Sequence, residues 1–422
     1  MISKAIRIAV VGAGVGGLTL ALYLHKLGFK DVKIFEGASI LREVGAGINI
    51  QANATQILQE LGLLPEVAIE GVLTKELVFL NKFGQFIYKD YRGIFDGHKT
   101  PQVSIHRGFF HQILVNATRQ RLGVDSIFTN HRLSQINQLS IGEVLCHFTS
   151  NDKTRDMAPY TADLVVGADG FNSKVREHFY PKNKDCTKWN GMKMWRGTSL
   201  GSPFLSGSSM VIVGNYDIRA VIYSIKNDNA TSLINWVAEV RDTNSTLPSI
   251  ENWNTEGSLD EFIEYFCEWQ FPWLNIYELF KNTRLILKYP MADKDPIERW
   301  SFGNITLLGD AAHPMYPSGS NGASQAILDA KTLAIELNRD VYDIDRALKN
   351  YEDIRKNVIN DVVLANRDFG AEKALQVVDN LAPQGFKNIN DVITGQELKS
   401  YIDKYKGITG LNSESIVNQR ND

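Results

Sequence analysis

The chain has 422 residues with ordinary apolar (44%) and charged (22%) content, which excludes a disordered, collagen-like or coiled-coil protein and leaves room for two or three cores. Basic and acidic residues nearly cancel, 45 against 48 for a net charge of −3, so no overall field recruits nucleic acid. Three cysteines, Cys146, Cys186 and Cys267, lie far apart with no CxxC or metal-type spacing; they read as buried free thiols of a reducing compartment, and no metal is expected.

Ala5–Val11 reads as a buried strand, a short β-branched run that ends at glycine. The uncharged stretch Ile8–Leu24 follows Lys4 and Arg7 as a secretory signal would, but its patterned glycines would suit neither a signal core nor a membrane span. No other long apolar run exists, so the expectation is a cytoplasmic protein with no membrane contact. Gly12-Ala13-Gly14-Val15-Gly16-Gly17 then opens a helix through Leu27, and Val32–Phe35 forms a second strand ending at Glu36. This is a βαβ unit with a dinucleotide fingerprint: Gly12 for the tight turn, Gly14 for close approach of a pyrophosphate, Gly17 for helix–strand packing. The helix start offers free N–H groups and a positive dipole end, and Glu36 can accept from a ribose hydroxyl. The glycine pattern alone is weak in a chain with 33 glycines; its place between strand and helix carries the reading.

Leu77–Leu80 and Phe86–Tyr88 read as a hairpin around Phe83-Gly84, and Ser104–Arg107 leads into a helix through Leu122. Strand-like runs follow at Ser126–Thr129, Arg132–Gln135, Val144–Thr149 and Asp163–Val166. From Met192 to Val240 strands alternate with turns: Lys193–Thr198, Met210–Val213, Ala220–Ile225 and Ser232–Val240. Asp260–Trp269 reads as a helix rich in aromatics, Arg284–Tyr289 and Ile305–Leu308 as strands, Asn321–Asn338 as a helix. Asp345 to about Gln376 is mostly helical, and the final polar stretch of some 25 residues reads as frayed.

Two later segments add to the fingerprint. Asp163-Leu164-Val165-Val166-Gly167-Ala168-Asp169-Gly170, continuing to Ser173 and Arg176, resembles the Asp-Gly motif of flavin-dependent aromatic hydroxylases, and Gly309-Asp310-Ala311-Ala312-His313-Pro314 resembles their Gly-Asp motif. Across essentially the whole chain the three segments keep the order and spacing of that family, the group A FAD monooxygenases of the p-hydroxybenzoate hydroxylase fold. Tyr91-Arg92-Gly93, Ser104–Gly108, Met194-Trp195-Arg196-Gly197, Leu233–Trp236, Leu287–Met291 and Met315–Asp329 are most similar to the phenazine-modifying, pyocyanin-forming branch. The wider family's Gly-x-Gly-x-Asn at the late helix start is replaced here by Gly319-Ser320-Asn321-Gly322-Ala323-Ser324, which limits the copying of helix contacts from distant members.

The resemblance implies an α/β fold: an FAD-binding Rossmann-like domain of glutathione-reductase type (1–75, 101–185, 290–340), an inserted mixed β-sheet substrate domain (76–100, 186–289), and a C-terminal helical segment and tail (341–422). It implies FAD as cofactor, NADH or NADPH as co-substrate, and O2 added at flavin C4a to hydroxylate an aromatic, phenazine-like or carboxylated ring, with the ring carboxylate either kept or replaced. Gly12, Gly14, Val15, Gly17 and Glu36 would hold the dinucleotide; Arg42, Arg107 and Asp310 would join them. The helix start at Asn321 and Gly322 would face the flavin pyrimidine edge, where a dipole stabilises negative charge.

Strand alternation puts Arg219, Val221 and Tyr223 on one face, where Arg219 could pair a substrate carboxylate; Trp195 and Pro314 would lie near the ring by resemblance. Asp169 and Arg176 read either as shapers of the cofactor site or as a structural ion pair. His313 reads as structural, and no protein base or nucleophile is assigned. A hydroxybenzoate, a nicotinate-like ring or an antibiotic stands as the alternative substrate. A dehydrogenase or dinucleotide sensor is a further alternative, though neither needs the two later motifs. A monomer or homodimer is expected.

Overall fold

A computed structural model describes residues 4–41, 45–139, 142–181, 185–228, 230–242, 246–247, 255–339, 343–368 and 370–411. Arg42 lies outside the described residues.

The first strand, Arg7–Val11, pairs in parallel with Asp31–Phe35 on one side and Leu164–Gly167 on the other. Ile127–Phe128 and Ile305–Leu307 extend this six-stranded sheet in parallel, and Ser301–Phe302 closes it antiparallel. Arg7–Val11, Leu164–Gly167 and Ile305–Leu307 are short, mostly apolar and almost wholly buried runs, as central parallel strands require, whereas Asp31 and Lys33 of the neighbouring strand stay half-exposed. The helices Val15–Lys26 and Gly322–Arg339 pack against each other over this core.

The second large sheet has eight strands in the order Thr255–Glu256, Leu287–Lys294, Thr187–Gly201, Ser232–Arg241, Ile218–Asn227, Ser209–Gly214, Glu76–Asn81 and Phe86–Tyr91. The last two form the expected hairpin, with Gly84 at φ +74° in its turn. Alternation divides this sheet between two cores. One face carries Trp195, Ala220, Ile222, Trp236 and Ala238 against an aromatic layer of Phe262, Phe266 and Phe280. The other carries Leu77, Met210, Ile212, Val221 and Tyr223, with C-terminal Leu375, Val378, Leu398, Ile402 and Tyr405 packed on the same side.

Four sequence readings need correction. Asp260–Trp269 is not one helix but two 3-10 turns, Leu259–Glu261 and Ile263–Phe266, the first started by a Ser258–Glu261 capping box. Phe262, Phe266 and Trp269 keep a helical spacing and enter one core, but the backbone between them winds as short 3-10 turns. The strand placed at Arg284–Tyr289 runs instead over Leu287–Lys294, paired with the long strand Thr187–Gly201. The supposedly frayed end contains the helix Gly395–Thr409, with its own Thr394–Glu397 capping box and Gly410 at φ +70° as C-cap. Cys146 is buried as expected, but Cys186 and Cys267 are exposed; all three are free thiols.

Candidate active site

A cavity of about 420 Å³ lies between the glycine-rich loop and the eight-stranded sheet, within the range of small-molecule and cofactor sites. Gly14, Val15 and Gly16 line one end, Arg107 and Asp310 stand nearby, and Ser320, Asn321 and Gly322 bring in the start of the late helix. Met194, Arg196, Met210, Ile212, Val221, Tyr223 and Val237 form the sheet wall, and Met315, Tyr316 and Pro317 close a side.

The loop geometry follows from its glycines. Gly12 has φ +108°, and a Cβ there would sit 2.3 Å from the Ala168 carbonyl oxygen. A Cβ on Gly17 would sit 2.2 Å from the Gly12 carbonyl oxygen, so helix and strand meet closer than any side chain allows. Gly14 differs: among the described residues no atom lies within 4 Å of where its Cβ would be. It precedes the helix Val15–Lys26 without any side-chain cap, so the first N–H groups of that helix are left for an outside acceptor. Glu36 accepts from the backbone N–H of Ala13 (2.9 Å) and of Ala38 (2.7 Å), which fixes its carboxylate beside the loop. A dinucleotide pyrophosphate fits these features: open space at Gly14, uncapped N–H donors, and an acid fixed beside them.

Of the other expected cofactor residues, Arg107 begins the helix Arg107–Leu122 with its side chain exposed toward the cavity, and Asp310 is exposed at its rim. Asn321 and Gly322 lie on the wall; beyond a Cβ on Gly322 the nearest atom is Asp310 Oδ1 at 3.9 Å. The loop Ser318–Asn321 is held from the opposite side as well. Asn49 Nδ2 donates to Ser320 Oγ (3.3 Å), Gln51 Nε2 to the Gly319 carbonyl (3.2 Å), and the Gln51 N–H to Ser324 Oγ (3.0 Å).

The expected substrate residues divide. Tyr223 lines the cavity, its phenol raised by burial. Trp195 does not. It stacks on Phe262 (5.1 Å between centroids) and donates from Nε1 to Glu261 (2.9 Å) on the far side of the sheet. Register explains this: Trp195 is opposite Ala238 on the outer face, whereas its neighbours Met194 and Arg196 are opposite Glu239 and Val237 on the cavity face. Arg219 shares the face of Val221 and Tyr223 but is buried beneath it. Its Nε donates to Glu239 (2.5 Å) and a terminal nitrogen lies 3.2 Å from Glu372, so its charge is shared with these two carboxylates. Pro314 is buried and the next three residues line the cavity in its place.

Charge is unevenly distributed along the walls. Arg196, stacked 5.7 Å from the Tyr289 ring, and Arg107 form a cationic end; burial and then the charge of Arg107 lower the Arg196 pKa. At the acidic end, Glu239 and Glu372 line the cavity around buried Arg219. Burial pushes Glu372 up to about 7, against the pull of Arg219 and with the charge of Glu239 adding to the rise.

The later motifs brace the site. Asp169 caps a short helix by accepting from Ser173 Oγ (2.5 Å) and the Lys174 N–H (2.6 Å). Buried Arg176 pairs with Asp185 (2.7 Å) and donates to the carbonyl of Ala312 (2.8 Å), tying the Asp-Gly segment to the Gly-Asp segment. His313 is buried with Nε2 2.5 Å from Asp329; burial alone would raise that carboxyl, but His313 and Arg355 hold it below the usual range. Sequence reading missed Arg196, Glu239, Glu372 and Tyr405 as cavity residues. Arg196 had a signal as the neighbour of the chosen Trp195 in the Met-Trp-Arg-Gly motif, and Tyr405 had one in the apolar spacing of its helix.

Residues 5–243 and 286–366 match the family described as FAD binding domain. Phenazine 1,6-dicarboxylic acid hydroxylase PhzS of Lysobacter antibioticus is 39% identical over 373 residues, covering 87% of this chain and 91% of that one. 6-Hydroxynicotinate 3-monooxygenase of Bordetella bronchiseptica is 28% identical, covering 83% of this chain and 87% of its own. Among solved structures, a salicylate hydroxylase substrate complex superposes with a TM-score of 0.72 at 21% identity over 97% of this chain and 98% of its own. Klebsiella pneumoniae HpxO, in complex with FAD and uric acid, does so with a TM-score of 0.70 at 18% identity, over 98% and 95%. No helix among the described residues is long and apolar enough to cross a membrane. The chain belongs to the FAD-binding-domain family and is a flavin-dependent aromatic monooxygenase.

Proposed function

We propose that the protein uses reduced nicotinamide and O2 to hydroxylate a carboxylated, phenazine-like aromatic ring inside the cavity between the glycine-rich loop and the eight-stranded sheet. The observation that carries this reading is the lining of that cavity: an uncapped helix start and glycine loop at one end, a largely apolar sheet wall, and the cations Arg107 and Arg196 facing it. The 39% identity to a phenazine dicarboxylate hydroxylase supports the substrate class.

In this reading Gly14, Val15 and the helix N–H groups bind the pyrophosphate, with Glu36 beside the adenosine ribose. The N-terminus of the helix Gly322–Arg339 faces the ring system, where its dipole favours negative charge. When bound, FAD supplies acceptance of hydride from reduced nicotinamide and activation of O2. The chain's own residues then orient and desolvate: Met194, Met210, Ile212, Val221 and Val237 exclude water, and Arg196 with Arg107 anchors a ring carboxylate. The free thiols favour a reducing compartment, and we place the enzyme in the cytoplasm as a monomer or homodimer.

The test is stopped-flow reduction of the bound flavin by NADH and by NADPH, with and without phenazine-1-carboxylate, 6-hydroxynicotinate and hydroxybenzoates, followed by product mass. Faster reduction with the phenazine and a product one oxygen heavier is expected; a mass showing carboxylate replaced by hydroxyl would add decarboxylation. Stimulation by a hydroxybenzoate or hydroxynicotinate alone would retain the monooxygenase and reject the phenazine.

A further inference from the structure

We infer that Tyr405, on the C-terminal helix Gly395–Thr409, is a positioning residue that fixes the orientation of Asn321 and thereby holds the loop Ser318–Asn321 in its cofactor-facing shape. The inference rests on the reading that flavin occupies the cavity beside this loop.

The hydrogen bonds form a directed chain. Asn366 Nδ2 donates to the Tyr316 carbonyl (3.0 Å), which can only accept, so Asn366 Oδ1 must face the other way. That oxygen receives the Tyr405 hydroxyl at 2.6 Å, with the Ser318 carbonyl a longer second acceptor at 3.2 Å. With its proton committed, the Tyr405 oxygen accepts from Asn321 Nδ2 at 2.7 Å. The Asn321 carboxamide is therefore set one way round, and its Oδ1, buried and without a hydrogen-bond partner among the described residues, is the end left over on the cavity wall. Asn321, Asn366 and Tyr405 are all at least nine-tenths buried, so no bulk water can substitute for a missing link.

Packing makes the same connection. A Cβ on Gly319 (φ +71°) would sit 2.1 Å from the Tyr405 hydroxyl oxygen, and one on Gly370 (φ +51°) would sit 2.7 Å from its ring. Two glycines thus open a slot that this ring fills. The next residue, Lys406, anchors the same helix elsewhere, through Asp90 and Asp96 at 2.7 Å each. Helix docking and loop positioning therefore reside in adjacent side chains and are separable.

Wild type, Tyr405→Phe and Lys406→Met are compared as flavin-loaded enzyme by release of fluorescent FAD on dilution, by the visible flavin spectrum and by thermal midpoint. Tyr405→Phe keeps the ring in its slot and is expected to weaken FAD binding about tenfold and shift the flavin band, because Asn321 and Asn366 each lose a buried partner. Lys406→Met is expected to lower the thermal midpoint while changing FAD affinity less than about twofold. Asn366→Ala, which leaves Ser318 to take the hydroxyl proton, should weaken FAD binding in the same direction by a smaller factor. An unchanged FAD affinity and spectrum in Tyr405→Phe, equal weakening in Lys406→Met, or an unaffected Asn366→Ala would overturn the inference. A wild-type protein that retains no flavin would instead overturn the functional reading on which it rests.

Discussion

Glu372 gives a test of the acidic end of the cavity that does not depend on substrate. It and Glu239 share one buried cation: Arg219 lies 2.5 Å from Glu239 and 3.2 Å from Glu372. Burial first, and the charge of Glu239 as well, raise Glu372 from 4.5 to about 7 despite Arg219. The folded protein then keeps a proton that the unfolded chain releases from about pH 4.5 upward, so this group makes stability fall as pH rises toward 7 and adds no further loss above it. That interval corresponds to at most about 3 kcal/mol. Glu372→Gln removes the titration while keeping shape. The variant should match wild type near pH 5 and exceed it by several degrees in thermal midpoint at pH 8, read on the flavin-loaded enzyme. Parallel midpoint curves from pH 5 to 8, or a variant that loses ground as pH rises, would refute the assignment of a retained proton to this cluster.

Gly12→Ala and Gly17→Ala should prevent accumulation of folded protein, since each Cβ meets a backbone oxygen at 2.3 and 2.2 Å; Gly14→Ala should change stability by less than about 0.5 kcal/mol yet weaken FAD binding, as measured by flavin release. Trp195→Phe should leave turnover unchanged and cost about 1 kcal/mol in denaturant unfolding for its lost bond to Glu261. Arg196→Gln should raise KM for a carboxylated ring about tenfold or more in steady-state assays. Arg176→Ala should destabilise by up to about 3 kcal/mol in the same unfolding assay, less than a fully orphaned buried charge because Lys294 still pairs with Asp185 at 2.7 Å.

Much of the cofactor side was legible because its signals are local. The run Ala5–Val11 ends where Gly12 turns the chain, and the observed strand is Arg7–Val11. The helix expected from Asn321 begins at Gly322 and ends at Arg339. The sheet wall was only half legible. Period two shows that Trp195 and Arg196 face opposite sides, but which side meets the cavity is set by cross-strand register with Ala238 and Val237, and no local pattern contains that register. Arg219 failed differently: its face was right, but its partner Glu372 comes from a segment far along the chain. The C-terminal helix had a legible start, Thr394 with Glu397, and a spaced stripe of Leu398, Ile402 and Tyr405. The polarity of its other faces outweighed that stripe.

The position of Arg219 has a consequence for substrate orientation. A carboxylate anchor was sought at Arg219, yet in this fold the buried arginine is already matched by two acids, and the cationic face lies instead with Arg196 and Arg107. Both signs of charge therefore line the cavity, with Arg92 also among its cations. In the proposed reaction a ring carboxylate directed at Arg196 gains a charge-assisted partner, whereas the same group turned toward Glu239 meets like charge. Apolar walls cannot distinguish the two orientations of a flat, nearly symmetric ring, because they contact either edge equally well. Charge placement can, since one orientation brings the ring carboxylate to Arg196 and Arg107 and the other carries it away from them in a dry site. Regiochemistry in this reading follows where the sheet places its charged side chains, and the pairing of Arg219 with Glu239 across adjacent strands is part of that pattern.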